Sequence, residues 1–144
     1  MLQIDVKYLE TDLPPLSYVE GKSDWIDLRA ARDISFEAWE FKPIPLGIAM
    51  KLPEGYEAHV APRSSTFKNF GLIQVNGVGV IDCSYCGDGD EWFAPMLATR
   101  PVTVHKGDRI CQFRIMENQP PLSFHAVAHL EGENRGGFGS TGVK

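Results

Sequence analysis

In Ile110-Cys111-Gln112-Phe113-Arg114-Ile115, the side chains of Cys111, Phe113 and Ile115 fall on one face of an extended chain and those of Gln112 and Arg114 on the other. Successive side chains of a strand point to opposite faces, so this alternation predicts a half-buried β-strand. Outward from it, Leu46-Gly47-Ile48-Ala49-Met50-Lys51-Leu52, Tyr56-Glu57-Ala58-His59-Val60-Ala61 and Val102-Thr103-Val104-His105 are further short, β-rich runs. Turn chemistry such as Pro53-Glu54-Gly55 and Lys106-Gly107-Asp108 separates them. The prolines at 14, 15, 43, 45, 53, 62, 95, 101, 120 and 121 are expected between the runs, because proline cannot donate to a sheet ladder. No repeat with a period of about 20–50 residues is present. The fold class read from this pattern is all-β: a jelly-roll-like barrel of short strands.

At 144 residues the chain is one domain, long enough to bury roughly 68–70% of its unfolded surface. With 19 acidic and 14 basic residues the net charge is −5, which argues against stable nucleic-acid binding but leaves room for a single nucleotide. No apolar run reaches the ~20 residues of a membrane span, and Met1-Leu2-Gln3-Ile4-Asp5-Val6-Lys7 has no signal-peptide core, so a cytoplasmic location without membrane contact is expected. Three cysteines are an odd number, against a disulfide framework. Cys83 and Cys86 form C-x-x-C and, with His105 and Cys111, supply residue types that ligate zinc. There is no second closely spaced pair, however, and the segment reads as strand. A redox pair would need a helix after the second cysteine, and none is signalled there.

The one helical signal is Ser64 to Asn69, with a serine N-cap and Gly71 able to end the run in the left-handed conformation. Arg63 beside two hydroxyls at a helix start reads as a phosphate seat or as an ordinary capped helix with a surface arginine. No Gly-x-x-x-x-Gly-Lys pattern exists, so the phosphate binder is not a P-loop. Asn76-Gly77 is a hairpin-compatible pair, and the glycines at 77 and 79 let main-chain groups approach a planar base and read its edge. Asp82 and Tyr85 follow. The chain ends in Asn134-Arg135-Gly136-Gly137-Phe138-Gly139-Ser140-Thr141-Gly142-Val143-Lys144, too rich in glycine to hold regular structure alone. Such an end reads as a frayed terminus or as a lid, its ring for stacking and its arginine for an anion.

These segments, Asp24-Trp25-Ile26-Asp27-Leu28-Arg29-Ala30, Pro62 to Gly71, Asn76 to Gly87, Gly107 to Phe113 and the tail, resemble in order and spacing the five motifs of the trimeric dUTPase family (dUTP diphosphatases). The likeness runs from about Asp24 to Gly142, and Trp25-Ile26-Asp27-Leu28-Arg29-Ala30-Ala31 with Gly87-Asp88-Gly89-Asp90-Glu91-Trp92 is similar to the branch of Gram-positive bacteria and their phages.

The resemblance implies a dUTPase-like β-barrel over residues 1–133 and an arm over 134–144 that closes on the site. It implies hydrolysis of dUTP to dUMP and pyrophosphate with Mg²⁺, which keeps uracil out of DNA and supplies dUMP. Asp82 would be the base activating the attacking water. Arg63, Ser64 and Ser65 would bind the β- and γ-phosphates, Gln112 the α-phosphate region, and Arg135 the γ-phosphate. Asn76, with Gly79 and Ile81 beside it, would read uracil; Tyr85 would pack under the deoxyribose; Phe138, followed by Gly139 and Ser140, would stack on the base. The metal would be held mainly by the phosphates, with Asp27 reaching it through water. The partner is a homotrimer with active sites shared between subunits. Ser84 stands where many members carry a second acid, and Arg135 precedes Phe138 by three positions where five are common. A dCTP deaminase, also of this fold, would place a glutamate where Cys86 stands. The acidic stretch 87–92 reads as a solvated loop or as the surface by which a phage-encoded member would engage a repressor protein.

Overall fold

The alternation at 110–115 forms the long strand β12 (Arg109–Glu117), with Cys111 and Phe113 buried and Gln112 and Arg114 half-buried on the opposite face. Ile110 is buried as well, because the register with β3 (Ser23–Arg29) shifts between Arg109 and Cys111 and a bulge turns two consecutive side chains inward. The computed structural model describes residues 1–139 and 141–144. Among them β12 sits at the centre of a five-stranded sheet, in the order β2 (Tyr18–Val19), β3, β12, β7 (Tyr56–Pro62) and β9 (Gly79–Ile81). A three-stranded sheet holds β5 (Phe41–Pro45), β10 (Phe93–Ala98) and β8 (Leu72–Gln74). Two pairs, β1 (Asp5–Tyr8) with β6 (Ile48–Lys51) and β4 (Ile34–Phe36) with β11 (Val102–Val104), complete the barrel. Every pairing is antiparallel.

Leu28, Ala58, Val60 and Phe113 from the larger sheet share one core with Ile44, Leu72, Ala94 and Met96 from the smaller. Trp92 packs edge-on against Phe113, ring centroids 5.3 Å apart at 86°, a geometry that adds about 0.5–1.5 kcal/mol beyond the area it buries. The result is the all-β barrel that the strand pattern predicts, with one short helix, α1 (Thr66–Phe70).

Three local expectations change. The prolines do not all fall between strands: Pro43 and Pro45 lie in β5, Pro62 ends β7, and Pro95 is inside the central strand β10. Pro95 pairs with Pro43, and two residues without N–H groups can face each other only at a non-hydrogen-bonded position; toward β8, Pro95 accepts from the Val75 N–H at 3.0 Å without having to donate. Asn76-Gly77 does not make a hairpin, because β8 before it pairs with β10 and β9 after it pairs with β7, so the turn carries the chain from one sheet to the other. The helix starts later than Ser64, with Ser65 at the N-cap but making no side-chain cap bond. Its end is as expected, Gly71 at φ 66° donating to the Phe67 carbonyl. A Cβ there would lie 2.6 Å from Arg100 Nε, so this position takes glycine on two counts.

From Met116 onward every described residue is exposed, and the expected division at 133/134 falls inside that run. Among the described residues no helix is long and apolar enough to cross a membrane.

Candidate active site

Two groups hold the candidate site residues of the barrel, and β7 connects them. The first forms where β7 leaves the sheet. Asp27 on β3 and Gln112 on β12 are register partners, and Gln112 faces Ala61 of β7 on its other side. Gln112 Nε2 donates to the Pro62 carbonyl at 3.1 Å, which fixes its amide beside Arg63. The Asp27 carboxylate, with its side chain only 14% exposed, sits between two guanidiniums: Arg63 Nε is 3.1 Å from Oδ1 and Arg109 Nη1 is 3.2 Å from Oδ2. A half-buried carboxylate needs such partners, since desolvating a lone charge is costly.

Thr66 holds the Arg63-Ser64-Ser65 loop in place. Its fully buried hydroxyl accepts from the Arg63 N–H at 2.8 Å and donates to the Ile110 carbonyl at 3.0 Å. Ser64 and Ser65 themselves make no intrachain side-chain hydrogen bond among the described residues, so both hydroxyls are available to a ligand.

The second group runs along β9, from the turn beside Val60 to Asp82 past Ala58, toward the other end of β7. Gln74, almost fully buried, donates to the Val60 carbonyl at 2.9 Å and the Gly77 carbonyl at 3.2 Å, bracing the 74–77 turn. Gly77 has φ 67°, and a Cβ on Gly79 would lie 3.3 Å from Asn76 Nδ2, so both glycines let Asn76 fold over its own turn. Asn76, Ile81, Asp82, Ser84, Tyr85 and Phe93 line an open cavity of about 470 Å³. Asp82 Oδ1 accepts from the Ser84 N–H at 2.8 Å and from the Ser84 hydroxyl. The Ser84 hydroxyl, and then its N–H, hold the Asp82 carboxyl below the usual carboxylate range and keep it ionised. The Tyr85 hydroxyl donates to the Glu91 carbonyl at 2.7 Å, and burial, with Asp90 and Glu91 nearby, pushes the phenol above its ordinary value, so it stays protonated.

Arg63 and Asp82 do not meet within one chain. Ala58 pairs with Ile81 next to Asp82, while Arg63 follows the opposite end of β7. At ~3.3 Å per residue their Cα atoms are roughly 20 Å apart, far beyond an arginine's reach. Arg135 and Phe138 lie on the exposed terminal run and line neither group's surface; Gly139 is there at φ 76°, and Ser140 lies outside the described residues.

Arg109, Thr66, Gln74, Ser84 and Glu91 have structural roles at the site that the sequence reading did not assign. Ser84 alone carried a local signal, since a hydroxyl two residues after an aspartate commonly closes on its carboxylate. Cys111 is in the core, where burial and then the Asp27 charge push its thiol up, while Cys86 is exposed; among the described residues no three His, Cys, Asp or Glu side chains converge as metal ligands.

The sequence profile of the dUTPase family matches residues 21–142, which includes both groups and most of the tail. The chain belongs to the dUTPase family. It is 56% identical over 143 residues to the SPbeta prophage-derived deoxyuridine 5′-triphosphate nucleotidohydrolase YosS of Bacillus subtilis, covering 99% of this chain and 100% of that one. Among solved structures, the Staphylococcus bacteriophage 80alpha dUTPase bound to dUPNHPP superposes with TM-score 0.81 at 22% identity, covering 99% and 100% of the two chains. A mutant dUTPase from phage phi11 of S. aureus, described with a structural Mg(II) ion, gives TM-score 0.75 at 17% identity over 91% and 100%. The dUTPase barrel is therefore shared well below the level of sequence likeness.

Proposed function

We propose that the chain hydrolyses dUTP to dUMP and pyrophosphate at sites built between subunits of a homotrimer, limiting uracil in DNA and supplying dUMP. One observation carries the shared site: Asp82 and Arg63 are at opposite ends of β7, yet they must act on neighbouring phosphates of one substrate. The surface around the Asp82 cavity supports it, because Val80 and Phe93 in its lining are 63% and 43% exposed and Val75 and Val78, in the turn around Asn76, are 50% exposed each, an apolar surface of the kind that marks an interface.

In this reading Asn76 and the main chain of the 74–79 turn bind uracil by its polar edge, where a mispaired buried group strongly rejects the wrong base. Gly79 and Ile81 form the floor, and the Tyr85 ring lies under the deoxyribose. Asp82 takes a proton from water as its oxygen bonds to the α-phosphorus and the bridge to the β-phosphate breaks. Pyrophosphate leaves with the electron pair. Arg63, Ser64 and Ser65 of a second subunit hold the β- and γ-phosphates, and Gln112 the α-phosphate region. Arg135 and Phe138, with Gly139 and Ser140, come from a terminal arm that covers phosphate and base.

The residues fit a metal that arrives with the phosphates. No cage of protein ligands converges among the described residues, and Asp27 is the acid placed beside the phosphate-binding loop. Bound there, Mg²⁺ would supply charge stabilisation for the leaving pyrophosphate, and Asp27 would hold it through a water of its shell. Arg63, drawn to a phosphate, releases the carboxylate oxygen it holds.

Pyrophosphate release from dUTP, compared with dCTP, dTTP and UTP with and without Mg²⁺, tests the reading; release from dCTP or UTP at the dUTP rate contradicts it. Ser84→Ala removes the largest influence lowering the Asp82 carboxyl, so its acidity weakens and the acid limb of the kcat profile should move to higher pH. An unmoved limb would mean that Asp82 is not the group titrating. Activity is expected in the cytoplasm. Repressor binding at the acidic stretch would fall to Asp88, whose side chain stays 92% exposed beside Lys7, and not to Glu91, which is bonded to the barrel.

A further inference from the structure

The stretch Gly87-Asp88-Gly89-Asp90-Glu91 is an exposed turn that ends in a brace, Glu91, bonded to the barrel. Its turn closes on itself, the Gly87 N–H donating to Asp90 Oδ2 at 2.8 Å and the Asp90 N–H to the Gly87 carbonyl at 3.0 Å. Trp92, immediately after it, is fully buried and tied at both main-chain atoms, donating to Ile48 and accepting from Leu46, each at 2.9 Å. Between these fixed points lies Glu91. Its carboxylate Oε2 accepts the Gly47 N–H at 3.0 Å, and its main-chain carbonyl accepts the Tyr85 hydroxyl at 2.7 Å.

Gly47 is itself a rigid anchor. It turns at φ 71°, its carbonyl accepts the Leu9 N–H at 2.8 Å, and an added Cβ would press on Ala31 and Glu10 at 3.2–3.3 Å. Tyr85 is held at its other end too, its N–H donating to the Asp82 carbonyl at 3.3 Å. The ring is therefore suspended between the base and the brace. A stacking surface held at one end swings, and one held at both ends keeps a fixed distance from the atom it is bonded to.

We propose that Glu91 is a positioning residue for sugar discrimination: by fastening its carboxylate to Gly47 it holds the carbonyl that fixes the Tyr85 ring, which closes the space a ribose 2′-hydroxyl would need. The proposal rests on the placement of Tyr85 under the sugar. It acts on specificity because a swinging ring admits the larger sugar while still covering the smaller one. It also accounts for an acid whose charge is spent on a main-chain N–H instead of on substrate.

The test is kcat/KM for dUTP and for UTP in the full-length enzyme and in Glu91→Ala, Glu91→Gln, Tyr85→Phe, Tyr85→Ala and the Tyr85→Phe/Glu91→Ala double variant. Glu91→Ala should lower the dUTP/UTP preference on the order of ten-fold, the scale on which a small group is accepted or refused by a pocket. Most of that change should be a gain on UTP. Glu91→Gln keeps an acceptor for Gly47 and should retain the preference. Tyr85→Phe keeps the ring but loses the link and should match Glu91→Ala, with the double variant no worse than either. A merely structural role would lower activity on both nucleotides together. Wild-type preference in Glu91→Ala beside a lowered one in Tyr85→Ala overturns the role of Glu91 and leaves that of Tyr85 standing. No change in Tyr85→Ala overturns the sugar reading itself. Should Glu91→Ala not fold, wild-type preference in Tyr85→Phe overturns the proposal, since the hydroxyl is its only link.

Discussion

Asp82→Asn should lower kcat for pyrophosphate release from dUTP by about 10²–10⁴-fold, the usual contribution of a positioned general base. The amide is nearly isosteric, and the Oδ1 that accepts both Ser84 donors survives as the amide oxygen, so the turn around residue 82 should keep its shape. What is lost is the ability to take a proton. Asp82 is exposed at the cavity and surrounds no core atoms, so thermal stability should change little. Binding of a non-hydrolysable dUTP analogue should persist, and calorimetry on the variant separates loss of chemistry from loss of affinity. A variant keeping more than about a tenth of wild-type kcat would remove Asp82 from the role of base.

Deleting residues 135–144 should cost on the order of 10²–10³-fold in kcat/KM, comparable with removing one donor aimed at developing charge. The described residues of that segment are exposed and none belongs to the core, so assembly and unfolding temperature should stay close to those of the full chain. On the proposed function the cause is the missing arginine at the γ-phosphate and the missing ring over the base, which together would exclude water as the arm closes. Phe138→Trp reports the closure: its fluorescence should change with the dUTP analogue and Mg²⁺ and much less with dUMP, which offers Arg135 no γ-phosphate. Full activity in the truncated chain would make the tail a frayed end.

The strand class and the helix end were legible because each depends on local chemistry. The alternation across Cys111, Phe113 and Ile115 needs only the two-residue period of a strand, and Gly71 only its tolerance of positive φ. Pairing was not legible. Asn76-Gly77 has the composition of a hairpin, but its flanking strands find partners in different sheets, which long-range packing decides. Pro95 is inside a sheet because Pro43 happens to stand opposite it. The same divide runs through the site. Asp82, Arg63 and the tail stand out by family motif, whereas the roles of Arg109, Thr66, Gln74 and Glu91 come from contacts with residues many positions away. The separation of Arg63 from Asp82 along β7 belongs to that second kind, and on the proposed function it turns a set of motifs in one chain into a site that needs several.

Subunit complementation tests that claim most directly. Asp82→Asn and Arg63→Ala proteins, each nearly inactive alone, are mixed in equal amounts under conditions where exchange is verified by mass. If base and phosphate clamp come from different subunits, random mixing leaves about a quarter of the sites with both residues intact, and dUTP hydrolysis should recover to that fraction. No recovery after verified exchange would mean that each chain carries its own complete site, and the shared-site account would be wrong.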